Sequence, residues 1–162
     1  MRALLTLLLL VGISSAAGAQ TIQRIDITEV GIYGAKTTGV KAAPGTAAGV
    51  THDLGDIHLV QATTTIPARL GVRFGFHYKI VGRAGAVSVK MVTLIPEPGI
   101  RNPNTGNTNI RDEYLTDRTV GPTHYRGYTF DNPWEIVTGT WTFEIWDGNR
   151  KLASQSFNVV GP

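Results

Sequence analysis

Apolar and polar residues alternate without a break through residues 70–80. Leu70, Val72, Phe74, Phe76, Tyr78 and Ile80 are apolar, with Gly71, Arg73, Gly75, His77 and Lys79 between them. Side chains leave a strand on alternate faces, whereas a helix would scatter these residues around its circumference. The pattern predicts a central antiparallel strand, its even-numbered residues turned onto a core and its odd-numbered residues turned outward.

Other stretches carry the same period. Residues 21–33 alternate through Ile25 and Ile27, then continue on the opposite parity through Val30 and Ile32, which predicts a bulge or bend near Glu29. Residues 34–50, rich in Gly, Ala and Thr, lack periodicity and read as a long exposed loop. Residues 57–66 form a second strand, closed by Pro67. After a turn at 82–85, Val87, Val89, Met91, Thr93 and Ile95 make a hairpin partner for the central strand. Residues 96–111 are Pro-, Asn- and Gly-rich and predict an exposed excursion. Residues 114–120 and 125–130 are shorter strands, and 131–134 turn a corner. The last hairpin pairs residues 139–145 with 151–160 across Asp147-Gly148-Asn149. A three-residue loop with a bulge would set Ala153, Gln155 and Phe157 beside Ile145, Phe143 and Trp141; a two-residue loop would bring Leu152 there instead. The first register puts Phe157 and Val159 on the apolar face.

With seven or eight short strands and no helical period after residue 20, the chain reads as an all-β antiparallel sandwich, with an up-and-down barrel as the second choice. Composition refines this. Met1-Arg2, the apolar run 3–13 and the small residues ending in Ala17-Gly18-Ala19 have the form of a secretory signal peptide cut after residue 19. The apolar run is too short for a bilayer span. Of 162 residues, 143 then remain as one domain, 20–162, which leaves no membrane span in the mature chain. There are no cysteines. An exported domain of this size without disulfides relies on packing, which suits a bacterial periplasm or exterior. Losing Arg2 leaves 14 basic against 12 acidic residues, a net charge of +2, and the basic ones are dispersed. That argues against nucleic acid as a partner.

The segment 63–75 (Thr-Thr-Thr-Ile-Pro-Ala-Arg-Leu-Gly-Val-Arg-Phe-Gly), the turn Asn102-Pro103-Asn104-Thr105-Gly106, and the ending with Tyr128-Thr129-Phe130-Asp131, Trp134-Glu135-Ile136-Val137, residues 139–146 and Phe157 resemble an uncharacterised bacterial family, domain of unknown function 3859. The resemblance implies an exported protein of similar size and carries no catalytic residues. The Gly-x-Trp strand, tight turn and returning strand are similar to the last hairpin of immunoglobulin-like modules, which concerns fold and leaves function open.

Four groups of residues could carry chemistry. His52, Asp56 and His58 have imidazole and carboxylate donors at metal-ligand spacing, and the same residues are also ordinary loop composition. Arg73, His77 and Lys79, separated by Gly75 and preceded by Gly71, could hold an anion on a flat strip, or simply cover a solvated sheet face. Trp146, of opposite parity to Trp141, could be an exposed platform; Asn102, Asn104 and Asn107 could make contacts from the 96–111 excursion. No thiol, Gly-x-Ser-x-Gly elbow, phosphate-cradling loop or His-Glu-x-x-His motif is present. A carboxylate pair drawn from Asp112, Glu113 and Asp117 remains open. No cofactor is implied. The residues point to an exported non-catalytic binding or accessory module for a protein, peptide or glycan of the cell envelope. The competing readings are a hydrolase built on His52, Asp56 and His58, and a structural subunit that pairs through an open sheet edge.

Overall fold

A computed structural model describes residues 21–161. The segment read as a signal peptide lies outside them. The described residues form a β-sandwich. One sheet has the order β2-β1-β4-β9, from β1 (Ile22–Ala42), β2 (Val50–Ala62), β4 (Arg73–Gly82) and β9 (Thr123–Thr129). The other has the order β3-β11-β10-β5-β8, from β3 (Thr65–Pro67), β5 (Ala86–Leu94), β8 (Arg111–Thr119), β10 (Gly139–Asp147) and β11 (Arg150–Val160). A small pair, β6 (Ile100–Arg101) with β7 (Thr108–Asn109), folds the 96–111 excursion on itself. Pairing is antiparallel except where β3 lies parallel beside β11.

The central strand sorts its residues as its alternation predicts. Phe74, Phe76, Tyr78 and Ile80 are buried between the sheets. Leu70 precedes β4 and is 52% exposed, so the apolar run is one turn longer than the strand. Phe74 is the hub of the core: its ring meets those of Phe130, Trp141, Phe143 and Phe157 at centroid distances of 5.3–5.9 Å. Such contacts supply packing that a cysteine-free sandwich obtains nowhere else. The parity slip near Glu29 is a register shift between Ile27 and Glu29 against β4. The last hairpin takes the expected register, Trp141 opposite Phe157 and Ile145 opposite Ala153. Its turn is nonetheless the two-residue Gly148-Asn149, with Gly148 at a left-handed φ of 55°, and the extra residue is absorbed farther up, between Ile145 and Trp146.

Three expectations need correction. β5 is not the hairpin partner of β4. β4 already has β1 on one side and β9 on the other, so the chain after residue 82 crosses to the second sheet, where β5 lies between β10 and β8. Residues 34–50 are not one long loop, because β1 runs on to Ala42 and only 43–49 turn. The second strand accordingly begins at Val50 rather than residue 57, and His52 to His58 lie on it.

Candidate functional site

β1 is longer than the strand it pairs with. It follows β4 as far as Ile32, opposite Phe74, and beyond this β1 pairs with β2 alone. A two-stranded ribbon twists more freely than a broad sheet. Three register shifts, at Ile32/Tyr33, Gly34/Lys36 and Thr37/Gly39, bend this one further. Asp56 sits within the second of them, at a left-handed φ of 52°.

Hydrogen bonds hold the ribbon at both ends. At its base, Arg73 on the outer face of β4 donates from Nη1 to the Ala35 carbonyl (3.0 Å) and from Nε to Thr129 Oγ1 (2.8 Å). At its tip, the turn docks on the opposite sheet. The Ala47 N–H donates to Asp112 Oδ2 (2.9 Å), Asn102 Nδ2 donates to the Ala47 carbonyl (2.8 Å), and the Glu113 N–H donates to the Gly45 carbonyl (3.0 Å). Asn102 and Asp112 are themselves buried. The ribbon therefore arches from one sheet to the other around the β9 edge.

A cleft of about 250 Å³ lies beneath it, lined by Val50, His52 and Leu54 of the ribbon and by residues from both faces of β9. Arg73, Arg118 and Arg126 bring positive charge to its wall; Asp112, Asp131 and Glu135 bring negative charge. Most of these groups are engaged with the protein. Arg118 donates to Tyr78 Oη, Thr116 Oγ1 and the Asp117 carbonyl. Glu135, in the 3-10 turn Pro133–Glu135, accepts from the N–H groups of Asp131 (2.7 Å) and Asn132 (2.9 Å). Asp112 also accepts from Asn109 Nδ2 (2.8 Å). Burial pushes the Asp112 and Glu135 carboxyls above their ordinary pKa, against the pull of those donors.

Arg126 and Tyr128 differ from the rest. They are neighbours on the inward face of β9. Arg126 is 5% exposed. Its Nη1 donates to the Gly127 carbonyl (3.0 Å) and its Nη2 to Thr93 Oγ1, while Nε has no partner. Its guanidinium lies 4.9 Å from the Phe143 ring centroid and 5.7 Å from that of Tyr114. Among the described residues it forms no ion pair. The Tyr128 hydroxyl is likewise buried without a partner, and burial, followed by the Glu135 charge, raises its pKa.

Residues 20–159 match the profile of a domain of unknown function, DUF3859. The chain belongs to the DUF3859 family. A protein described as immunoglobulin-like, from Pseudomonas aeruginosa and known from a crystal structure, is 26% identical to it. That similarity covers 87% of this chain and 100% of the other, with a TM-score of 0.60. No curated protein matches the chain. The family match agrees with the motifs read from the sequence, and the DUF3859 domain here is an all-β, immunoglobulin-like sandwich.

Most residues singled out from the DUF3859 sequence are placed elsewhere or held within the fold. His52 lines the cleft and faces Asp131 (3.4 Å). Asp56 pairs with Lys36 on the surface, and His58 Nδ1 contacts the Asp56 carbonyl. The three do not converge, and among the described residues no group of three or more His, Cys, Asp or Glu is arranged to hold a metal. On the outer face of β4, Arg73 anchors the ribbon and His77 bonds Glu29 Oε2 (2.9 Å) with its ring edge-on to Tyr33 and Tyr125. Lys79 is exposed. The glycine strip is not continuous: Gly71 faces open space, whereas Gly75 is buried with the backbone of β9 against it, where a Cβ would collide with Arg126 and Gly127. Trp146 donates to Glu144 Oε2 (2.8 Å) and sits within cation–π range of Lys90 and Lys151. Asn102 is buried as a brace for the ribbon tip and also accepts from the Asn104 N–H, whereas Asn104 and Asn107 are exposed. Along β8, Arg111, Glu113 and Asp117 are exposed, and charges of this kind discourage strand addition at that edge.

Arg126 escaped the sequence reading, which took in Tyr128 only as part of the closing motif. The signal was present, because Arg126 has the parity of Tyr128 and Phe130 and so falls on the core face of its strand. A charge at such a position needs a reason.

Proposed function

We propose that this DUF3859 protein is an exported, non-catalytic binding module of the periplasm or cell exterior, and that the cleft under the ribbon is its ligand seat. The leader-like residues 1–19 support export. The cleft supports binding: it is a bounded concavity with aromatic walls and convergent polar groups, the ordinary form of a small-molecule site. The observation that carries the reading is the pair of buried, unpartnered polar groups on its wall, Arg126 Nε and Tyr128 Oη. The two buried carboxylates that could do acid–base work there, Asp112 and Glu135, are instead bound to backbone N–H groups that shape the site.

The test is a comparison of the secreted form with a variant whose cleft is filled, Ala48→Trp. Both are incubated with an extract of the native cell envelope and dialysed, and retained small molecules are identified by mass spectrometry. The expected result is a compound retained unchanged by the wild type and lost from the variant, and a wild-type chain recovered outside the cytoplasm beginning at Gln20. Equal retention by both would remove the cleft from the reading. Conversion of the retained compound would favour a hydrolase.

A further inference from the structure

Resting on that reading of the cleft, we infer that its ligand carries a single carboxylate, received by the Arg126 guanidinium and the Tyr128 hydroxyl. A guanidinium keeps its charge on burial, and a buried charge without a counter-ion is costly. Arg126 is buried and makes no direct ion pair, with Asp112 attracting it only through space; its two acceptors are a neutral carbonyl and a neutral hydroxyl, and Nε is unpartnered. Tyr128, adjacent on the same face, presents a second unpartnered donor. Two unpartnered donors from neighbouring positions on one strand face suit a carboxylate, for which the planar guanidinium is the preferred partner.

The surroundings limit the charge. Asp112, Asp131 and Glu135 line the same cleft, and their field opposes a doubly charged phosphate monoester more strongly than a singly charged carboxylate. The volume limits the size. About 250 Å³ is roughly eight water volumes, room for an amino acid, a short peptide terminus or one sugar acid. The chemistry common to these is a free carboxylate on a small polar body.

Nuclear magnetic resonance on the full secreted chain tests this with two matched pairs: alanyl-alanine against its C-terminal amide, and glucuronate against glucose. The Nε–Hε signal of Arg126 reports directly. Each probe is taken to roughly 10 mM, where even weak seats fill. The expected result is that at least one carboxylate probe moves the Arg126 signal and its neutral counterpart does not. Response to the peptide alone, or to the sugar acid alone, identifies the source. Tyr128→Phe, which keeps the ring, should weaken the responding probe roughly tenfold, the worth of one charge-assisted hydrogen bond. Arg126→Met should abolish its binding, read from the Gly127 amide. An equal response to a neutral counterpart, or no response to either carboxylate, overturns the inference. A neutral probe that binds in the cleft leaves the binding-module reading standing, so the two failures are distinguishable.

Discussion

Replacing a buried residue normally destabilises a protein by about 1 kcal/mol or more. For Arg126→Met the structure predicts the opposite sign in the ligand-free chain. A buried charge left without its partner costs about 3–5 kcal/mol in pair-breaking measurements. Set against this are the hydrogen bonds to Gly127 and Thr93, worth about 1 kcal/mol each. The guanidinium over Phe143 adds about 1 kcal/mol more. Methionine reaches nearly as far along the same wall and contributes about 1 kcal/mol of apolar burial. The balance is a gain of about 1–3 kcal/mol, or roughly 2–12 °C in melting temperature for a domain of this size. Urea titration of chains refolded from denaturant, and so free of bound ligand, should show a higher midpoint at unchanged slope. A loss exceeding about 1 kcal/mol would mean that Arg126 is a structural residue whose aromatic and carbonyl contacts satisfy it. The case for an absent anion would then fail.

Two further outcomes follow from the ribbon tip. Asn102→Ala removes the donor to the Ala47 carbonyl and the acceptor of the Asn104 N–H, at a cost of about 1–3 kcal/mol. Hydrogen exchange should speed at Ala47 and Glu113 while β4 amides keep their protection; unchanged exchange at the tip would show that Asn102 does not brace it. Asp112 titrates with a sign set by its burial. Its folded pKa lies above its ordinary value, so between the two the folded chain holds a proton that the unfolded chain has released. Stability from this group therefore rises as pH falls through the folded pKa, levels off below the ordinary value, and is absent above the folded one. Asp112→Asn cannot titrate, so the stability of wild type relative to it should increase as pH is lowered from about 7 toward about 4. A flat or reversed difference would mean that the donors Ala47 and Asn109 outweigh burial.

Much of the sandwich is legible in the sequence because each strong strand has one face in water and one in the core. Phe74, Phe76 and Tyr78, and Trp141, Phe143 and Ile145, alternate for that reason, and the register of the last hairpin follows from keeping Phe157 with them. Parity says nothing, however, about which sheet a strand joins. Val89 and Met91 face the core equally well from across it, so β5 reads as a hairpin partner and is not one. The ribbon is illegible for a different reason. Residues 36–42 bury neither face, so no alternation marks them, and only Thr37, Thr38 and Val40 hint at a strand through β-branching. The cleft inherits that difficulty. Its walls come from segments far apart in sequence, and the ribbon that closes it carries the weakest pattern in the chain.

The ribbon and the buried arginine are parts of one arrangement. Without the ribbon, β9 would be an open sheet edge with hydrogen-bonding groups free to recruit another strand. Arg126, near that edge, could reach water. Bending the ribbon over β9 and fastening it at Ala35 and Ala47 covers the edge and encloses a space rather than a solid contact. On the wall of that space Arg126 is buried against Phe143 and Thr93 and bonded to no carboxylate, although the Asp112 charge reaches it through space. An anion seated in the cleft beneath the ribbon would supply the direct partner that the guanidinium lacks. An apolar residue would serve packing better at this core-facing position, so a guanidinium there is explained by an anion in the cleft.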